Sequence, residues 1–124
     1  MTAGPGAVDV RLHAPMPDVV VVRMSDPVDD VTGPVLLRRV DQQLGRARHV
    51  VIDLQGVQFL GWQFLQLLRD VHGRAVAIGA QLHVSAEHHH VRRSLRSSGL
   101  DQLVEVSPAA EMVVAGLLHG ASSS

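Results

Sequence analysis

Cysteine is absent from this chain, which excludes disulfide cross-links and thiol chemistry and leaves the compartment open. Lysine is absent too, so all 11 cationic side chains are arginine. A net charge of −1 at neutral pH gives no excess of one sign to draw a polyelectrolyte. The sequence shows no arginine-rich stripe with interleaved aromatics, which argues against nucleic acid as a partner. No apolar run is long enough to span a bilayer, so no membrane association is expected. Residues 1–8 lack an apolar run behind a basic start, so no secretory signal is read and a cytoplasmic protein is expected. Internal repeats and an interdomain linker are both missing, and 124 residues fit a single domain.

Catalytic patterns are equally scarce. Asp53 closes an apolar run, at a position where α/β proteins often place ligands. No serine, cysteine or histidine recurs around it at nucleophile–base spacing, and Gly56 and Gly61 are too far apart for a phosphate-cradling loop. The expectation is a non-enzyme without cofactor.

What is present is a regular alternation of two periodicities. Residues 8–12 alternate apolar and polar, as in a half-buried edge strand, and 19–24 form a denser β-branched strand. Residues 49–54 carry Val50, Val51 and Ile52 in succession, a central parallel strand needing cover on both faces. Val35/Leu36, Val40 and Leu44 recur at helical spacing, with Asp29 or Asp30 as cap and Gly45 as stop. From Trp62 the period is helical again, and Phe64, Leu68, Val71, Ala75 and Ile78 form one stripe ending before Gly79 as the residue past the helix end. A strand over 82–86, a basic helix over 87–98 ending at Gly99, and a strand over 103–106 follow. Ser107 is placed to cap a last helix with Pro108 at its first position, packed down by Met112, Val113, Leu117 and Leu118. The order β-β-α-β-α-β-α-β-α predicts an α/β fold, a mixed sheet flanked by helices with right-handed crossovers. The expected layout is a disordered 1–7, one domain over 8–119 and a disordered 120–124.

Eight histidines include the run His88, His89 and His90. Consecutive helical positions diverge, and His83 has no partner at H-x-x-x-H spacing, so no metal site is predicted. The bland reading is a solvated helix start with some pH sensitivity. Trp62 has Gln66 and Arg69 as helical neighbours, off the Phe64/Leu68 stripe, which tips the indole toward the rim. There it is either an interface anchor or folds back over the first turn.

The segment Asp53-Leu54-Gln55-Gly56-Val57-Gln58-Phe59-Leu60-Gly61-Trp62-Gln63-Phe64-Leu65 resembles the core of STAS domains, the fold of bacterial anti-anti-sigma factors. The family pattern there is D-L-S-G-V-x-F-L-D-S-S-G-L, matched at Asp53, Leu54, Gly56, Val57, Phe59, Leu60 and Leu65. Val28-Asp29 with Thr32-Gly33-Pro34 resembles the family's L-D-x-x-T-A-P segment, and Val91-Arg92-Arg93-Ser94-Leu95 with Ser98-Gly99-Leu100 its V-R-R-x-L … x-G-L helix. In the family a serine at the Trp62 position is phosphorylated by a GHKL-type anti-sigma kinase, and the added charge breaks docking. Gly61, Trp62, Gln63 and Phe64 replace the family's Asp, Ser, Ser and Gly, so that covalent switch is expected to be absent. The resemblance implies an anti-sigma factor antagonist that binds an anti-sigma factor through Gly61, Trp62, Gln63 and Phe64, with Asp29 and Thr32 alongside. Phe64 itself fits the core stripe better than a contact surface. The alternative is a STAS structural subunit or small-ligand sensor binding at the same helix start. The oligomeric state is left open.

Overall fold

The computed structural model describes residues 10–24 and 27–123. Five strands form one sheet in the order β1(Val10–Met16), β2(Val19–Met24), β3(His49–Asp53), β4(Gln81–Ser85) and β5(Glu105–Ser107). β1 runs antiparallel to β2, and every later pair is parallel. β3 is therefore the central strand. Its Val50, Val51 and Ile52 are fully buried because the sheet is covered on both faces.

Four helices supply that cover: α1(Thr32–Leu44), α2(Trp62–Ala77), α3(His89–Ser97) and α4(Ala110–Ser123). The larger core joins Val22, Val50, Ile52, Leu82 and Val84 of the sheet to apolar residues of α1, α2 and α3. The smaller one, on the opposite face, joins Val19, Val21 and Val51 to Ala110 and Val113 of α4. The predicted order of elements holds throughout, as does the mixed sheet flanked by helices.

Boundaries differ where local chemistry overrides pattern. β1 continues past Leu12 through Pro15 to Met16, with a register irregularity between His13 and Met16. Proline is tolerated there because β1 is an edge strand with no neighbour on its outer side. Gly45 ends α1 as expected, in a right-handed conformation with φ −80°. Gly79 and Gly99 do take positive φ, at 75° and 81°. Ile78 drops off the α2 stripe and is exposed, because the helix ends before it at Ala77.

The last segment shifts most. A 3₁₀ turn at Leu100–Gln102 buries Leu100, so the final strand starts only at Glu105. Ser107 pairs with Ser85 and its carbonyl accepts from Ala86 N, making it a strand residue rather than a helix cap. α4 begins at Ala110, beyond Pro108, and runs to Ser123. Val113 packs it down, whereas Met112 and Leu118 are exposed. The expectations for residues 1–7 and for a strand starting at Val8 lie outside the described residues.

Candidate functional site

The chain's only Phe and Trp side chains, Phe59, Trp62 and Phe64, all fall in the passage from β3 to α2. That passage is pinned by Leu54, Val57 and Leu60, each buried, while Leu54 N donates to Ser85 O at 2.8 Å and Val57 N to Leu54 O at 2.9 Å. Phe59, between the last two pins, and Trp62, at the start of α2, are left 67% and 68% exposed. Two large rings facing water three residues apart are side chains of the kind that anchors a partner. Gly61 stands at the N-cap of α2 in extended conformation and has no side chain to satisfy the first-turn N–H groups. Gln63 is exposed beside Trp62.

Phe64 behaves otherwise. It is 3% exposed and lies in the larger core, so its inclusion among the contact residues is corrected: it supports the surface from beneath. A methyl group added to Gly33 of α1 would stand 3.1 Å from Phe64 Cδ1. The starts of α1 and α2 are thus in near contact through this ring.

The loop entering α1 lies alongside. Asp29 Oδ1 accepts from Val31 N at 2.9 Å and Thr32 N at 2.8 Å. Thr32 Oγ1 accepts from Asp29 N at 2.9 Å and donates to Pro27 O at 2.6 Å. This reciprocal box makes Asp29, not Asp30, the capping residue, and spends the Thr32 hydroxyl inside the loop. The hydrogen bonds, led by that from the Thr32 backbone, hold the Asp29 carboxyl below its ordinary pKa. A groove of about 530 Å³ separates the two loops, lined by Pro27, Val28, Asp29, Gly56, Gln58 and Phe59. Phe59 is the exposed ring that sequence reasoning passed over. A loop has no periodicity to reveal which way a ring points.

Asp53 is buried at the end of β3 but fully engaged. Its carboxylate holds Arg23 Nε at 3.2 Å, Ser85 Oγ at 3.1 Å and Gln55 N at 3.0 Å.

The histidines divide into two groups. His88 caps α3 in extended conformation and accepts from His90 N at 3.2 Å, which gathers three rings that helical geometry alone would splay. The His89 and His90 centroids lie 4.1 Å apart, and those of His88 and His89 4.9 Å. His90 first, then burial, His88 and Arg93, keep the His89 pKa low. His89, Arg92, Arg93 and Arg96 share one notch on α3, an arginine face that the linear sequence did not bring out. Among the described residues no three His, Cys, Asp or Glu side chains converge to hold a metal ion. The second group is internal: His83 Nδ1 bonds Glu105 Oε1 at 3.1 Å, and His83 Nε2 meets His49 Nδ1 at 3.2 Å. Among the described residues, no helix is long and apolar enough to cross a membrane.

The sheet order and the four flanking helices define an α/β fold with a five-stranded mixed sheet, and comparison gives it a family. The STAS domain family model matches residues 14–112, and the chain belongs to that family. Its fold is similar to an anti-sigma factor antagonist from Mycobacterium paratuberculosis, at 24% identity and TM-score 0.77 over 93% of this chain and 97% of the other. It is similar to the unphosphorylated anti-sigma factor antagonist SpoIIAA, at 12% identity and TM-score 0.74 over 90% and 97% of the two chains. It also resembles the STAS domain of a SulP transporter from Vibrio cholerae, at 16% identity and TM-score 0.73 over 90% and 89%. No curated protein sequence matches the chain.

Proposed function

We propose that this protein is an anti-sigma factor antagonist that acts by binding, in the cytoplasm, to a GHKL-type anti-sigma kinase and so releases a sigma factor. The observation that carries this reading is the pair of aromatic rings, Phe59 and Trp62, held two-thirds exposed on a pinned loop beside the Asp29 box. Rigid exposed rings bury large area on docking at low conformational cost, and the groove between the loops offers a seat for a partner side chain. The chemistry is non-covalent: the surface presents rings, amides and one ordered carboxylate, with no nucleophile among them.

The usual off-switch has no acceptor here. No serine, threonine or tyrosine occurs between Thr32 and Ser85, and Ser85 is fully buried. Trp62, at the position of the family serine, offers a ring where a phosphate would be added. Docking is therefore constitutive toward ATP.

The test is calorimetric titration of the protein into the anti-sigma kinase encoded in the same genome, with and without ATP, followed by intact-mass measurement. Tight binding that is unchanged by ATP, with no 80-Da addition, is expected. A phosphorylated product with weakened binding overturns the reading. The sensor alternative, which places a ligand at the α2 start, has no such observation behind it; the apolar cleft of this fold lies elsewhere, between α4 and the sheet.

A further inference from the structure

The two faces of the sheet are covered unequally. α4 crosses the second face above β3, β4 and β5. Toward β1 and β2 a cleft of about 370 Å³ opens between helix and sheet. That volume lies within the range of small-molecule sites, which begins near about 300 Å³. Val21, Val114, Ala115 and Leu118 make its apolar walls, and Arg23, Asp53, His13 and Glu111 are its polar groups. Val114, Ala115 and Leu118 follow Glu111 at helical steps of three, four and seven, so one face of α4 runs from charged to apolar along the cleft.

Register places the charges. Arg23 pairs with Asp53 at the end of the parallel strands, while His13 pairs with Val21 two residues back. α4 starts from the same end, which puts Glu111 beside the ion pair and Leu118 two turns away. The cleft is thus amphipathic along its length, charged at one end and apolar at the other.

Arg23 is the group organised to receive a ligand. Its side chain is half exposed, yet its Nε is fixed by Asp53, whose side chain is only 4% exposed. Asp53 is itself immobilised by Ser85 Oγ and Gln55 N. An arginine oriented through Nε keeps its two terminal nitrogens in a fixed plane, the geometry that grips a carboxylate bidentately.

We propose that this cleft binds a small monocarboxylate with an apolar body, its carboxylate on Arg23 and its body against Val21, Val114, Ala115 and Leu118. The site is separate from the Phe59/Trp62 surface and does not rest on the docking reading.

The test uses octanoate as probe and backbone amide NMR shifts of the whole protein as readout, with no partner present. Saturable shifts centred on Val21, Arg23 and residues 111–118 are expected. Octanol, of similar length but without the charge, is expected to bind about tenfold more weakly, the loss of one charge-assisted contact. Octanedioate, whose second carboxylate would fall at the apolar end of the cleft, is likewise expected to bind about tenfold more weakly. Arg23→Gln should abolish the preference for octanoate over octanol. Because that change also strips Asp53 of its partner, Ala115→Leu serves as an independent variant that fills the cleft without touching the ion pair. It should retain the melting temperature and remove the octanoate shifts. Absence of saturable shifts, octanol binding as tightly as octanoate, or undiminished binding by a folded Ala115→Leu variant each overturns the proposal.

Discussion

Position 33 holds glycine in this chain where the STAS pattern has alanine, and position 64 holds phenylalanine where the pattern has glycine. The two departures explain each other, since a Cβ at residue 33 would lie 3.1 Å from Phe64 Cδ1. The Phe64 ring stands in the space that a methyl group at residue 33 would need. Gly33→Ala is therefore expected to cost about 1 kcal/mol in the native chain through overpacking. In a Phe64→Ala background the same change should instead stabilise by about 0.5 kcal/mol, the gain in helix propensity. A denaturant double-mutant cycle reads the sign change directly. Phe64→Ala alone should cost about 3 kcal/mol or more. Trp62→Ala should stay within about 0.5 kcal/mol of the native stability. It should weaken partner binding by about tenfold or more, as loss of a central ring does. Equal stability losses for the two aromatic variants would contradict the burial that separates them. The contrast was legible in the sequence because residues 62 and 64 sit on different sides of a helical stripe. The exposure of Phe59 was not, and neither was the gathering of His88, His89 and His90, which depends on a cap conformation rather than on spacing.

Elements were read most securely where one periodicity ran unbroken. β3, with three consecutive branched residues, and α2, with its stripe from Phe64 to Ala75, stand where the pattern put them. The passage from α3 to α4 was misjudged because a 3₁₀ turn and a three-residue strand are too short to show any period. Helix ends carry a lesson of their own. Gly45 and Gly79 both follow helices, and a Cβ at either would meet nothing within 4 Å. Only Gly79 has positive φ, so available space is equal and backbone conformation differs. Gly79→Ala is expected to cost about 1 kcal/mol. Gly45→Ala should be neutral or stabilise slightly, through a less flexible unfolded chain. Thermal unfolding of the two single variants distinguishes them, and equal losses would remove φ as the cause.

Across the whole molecule the second sheet face is both thinly covered and polar. It carries the line His49, His83 and Glu105 in addition to the Arg23–Asp53 pair. The Glu105 carboxylate accepts from His83 Nδ1–H, and His83 Nε2 lies within hydrogen-bond distance of His49 Nδ1. Burial first, then His83 and Arg48, depress the His49 pKa, with Asp18 opposing them. A histidine depressed in the fold is protonated more readily when unfolded. Its contribution is full above the ordinary value of 6.5 and is lost as pH falls from there through the lower folded value. Stability should therefore decline on acidification below pH 6.5, and His49→Gln should flatten that slope. Asp29 acts in a separate window: its depressed carboxyl supports the α1 start above 3.8 and fails only as pH falls through its lower folded value. Urea midpoints measured across both ranges separate the two. An unchanged slope in His49→Gln would assign the pH effect to another group.

Asp53 gives this arrangement a mechanical aspect. A carboxylate is a rigid planar unit, and here one oxygen holds Arg23 at the cleft while the other holds Gln55 N, at the root of the loop that displays Phe59 and Trp62. Rotating the plane to follow the guanidinium necessarily re-aims the second oxygen. The cleft and the aromatic surface thus share a single buried carboxylate as a common anchor.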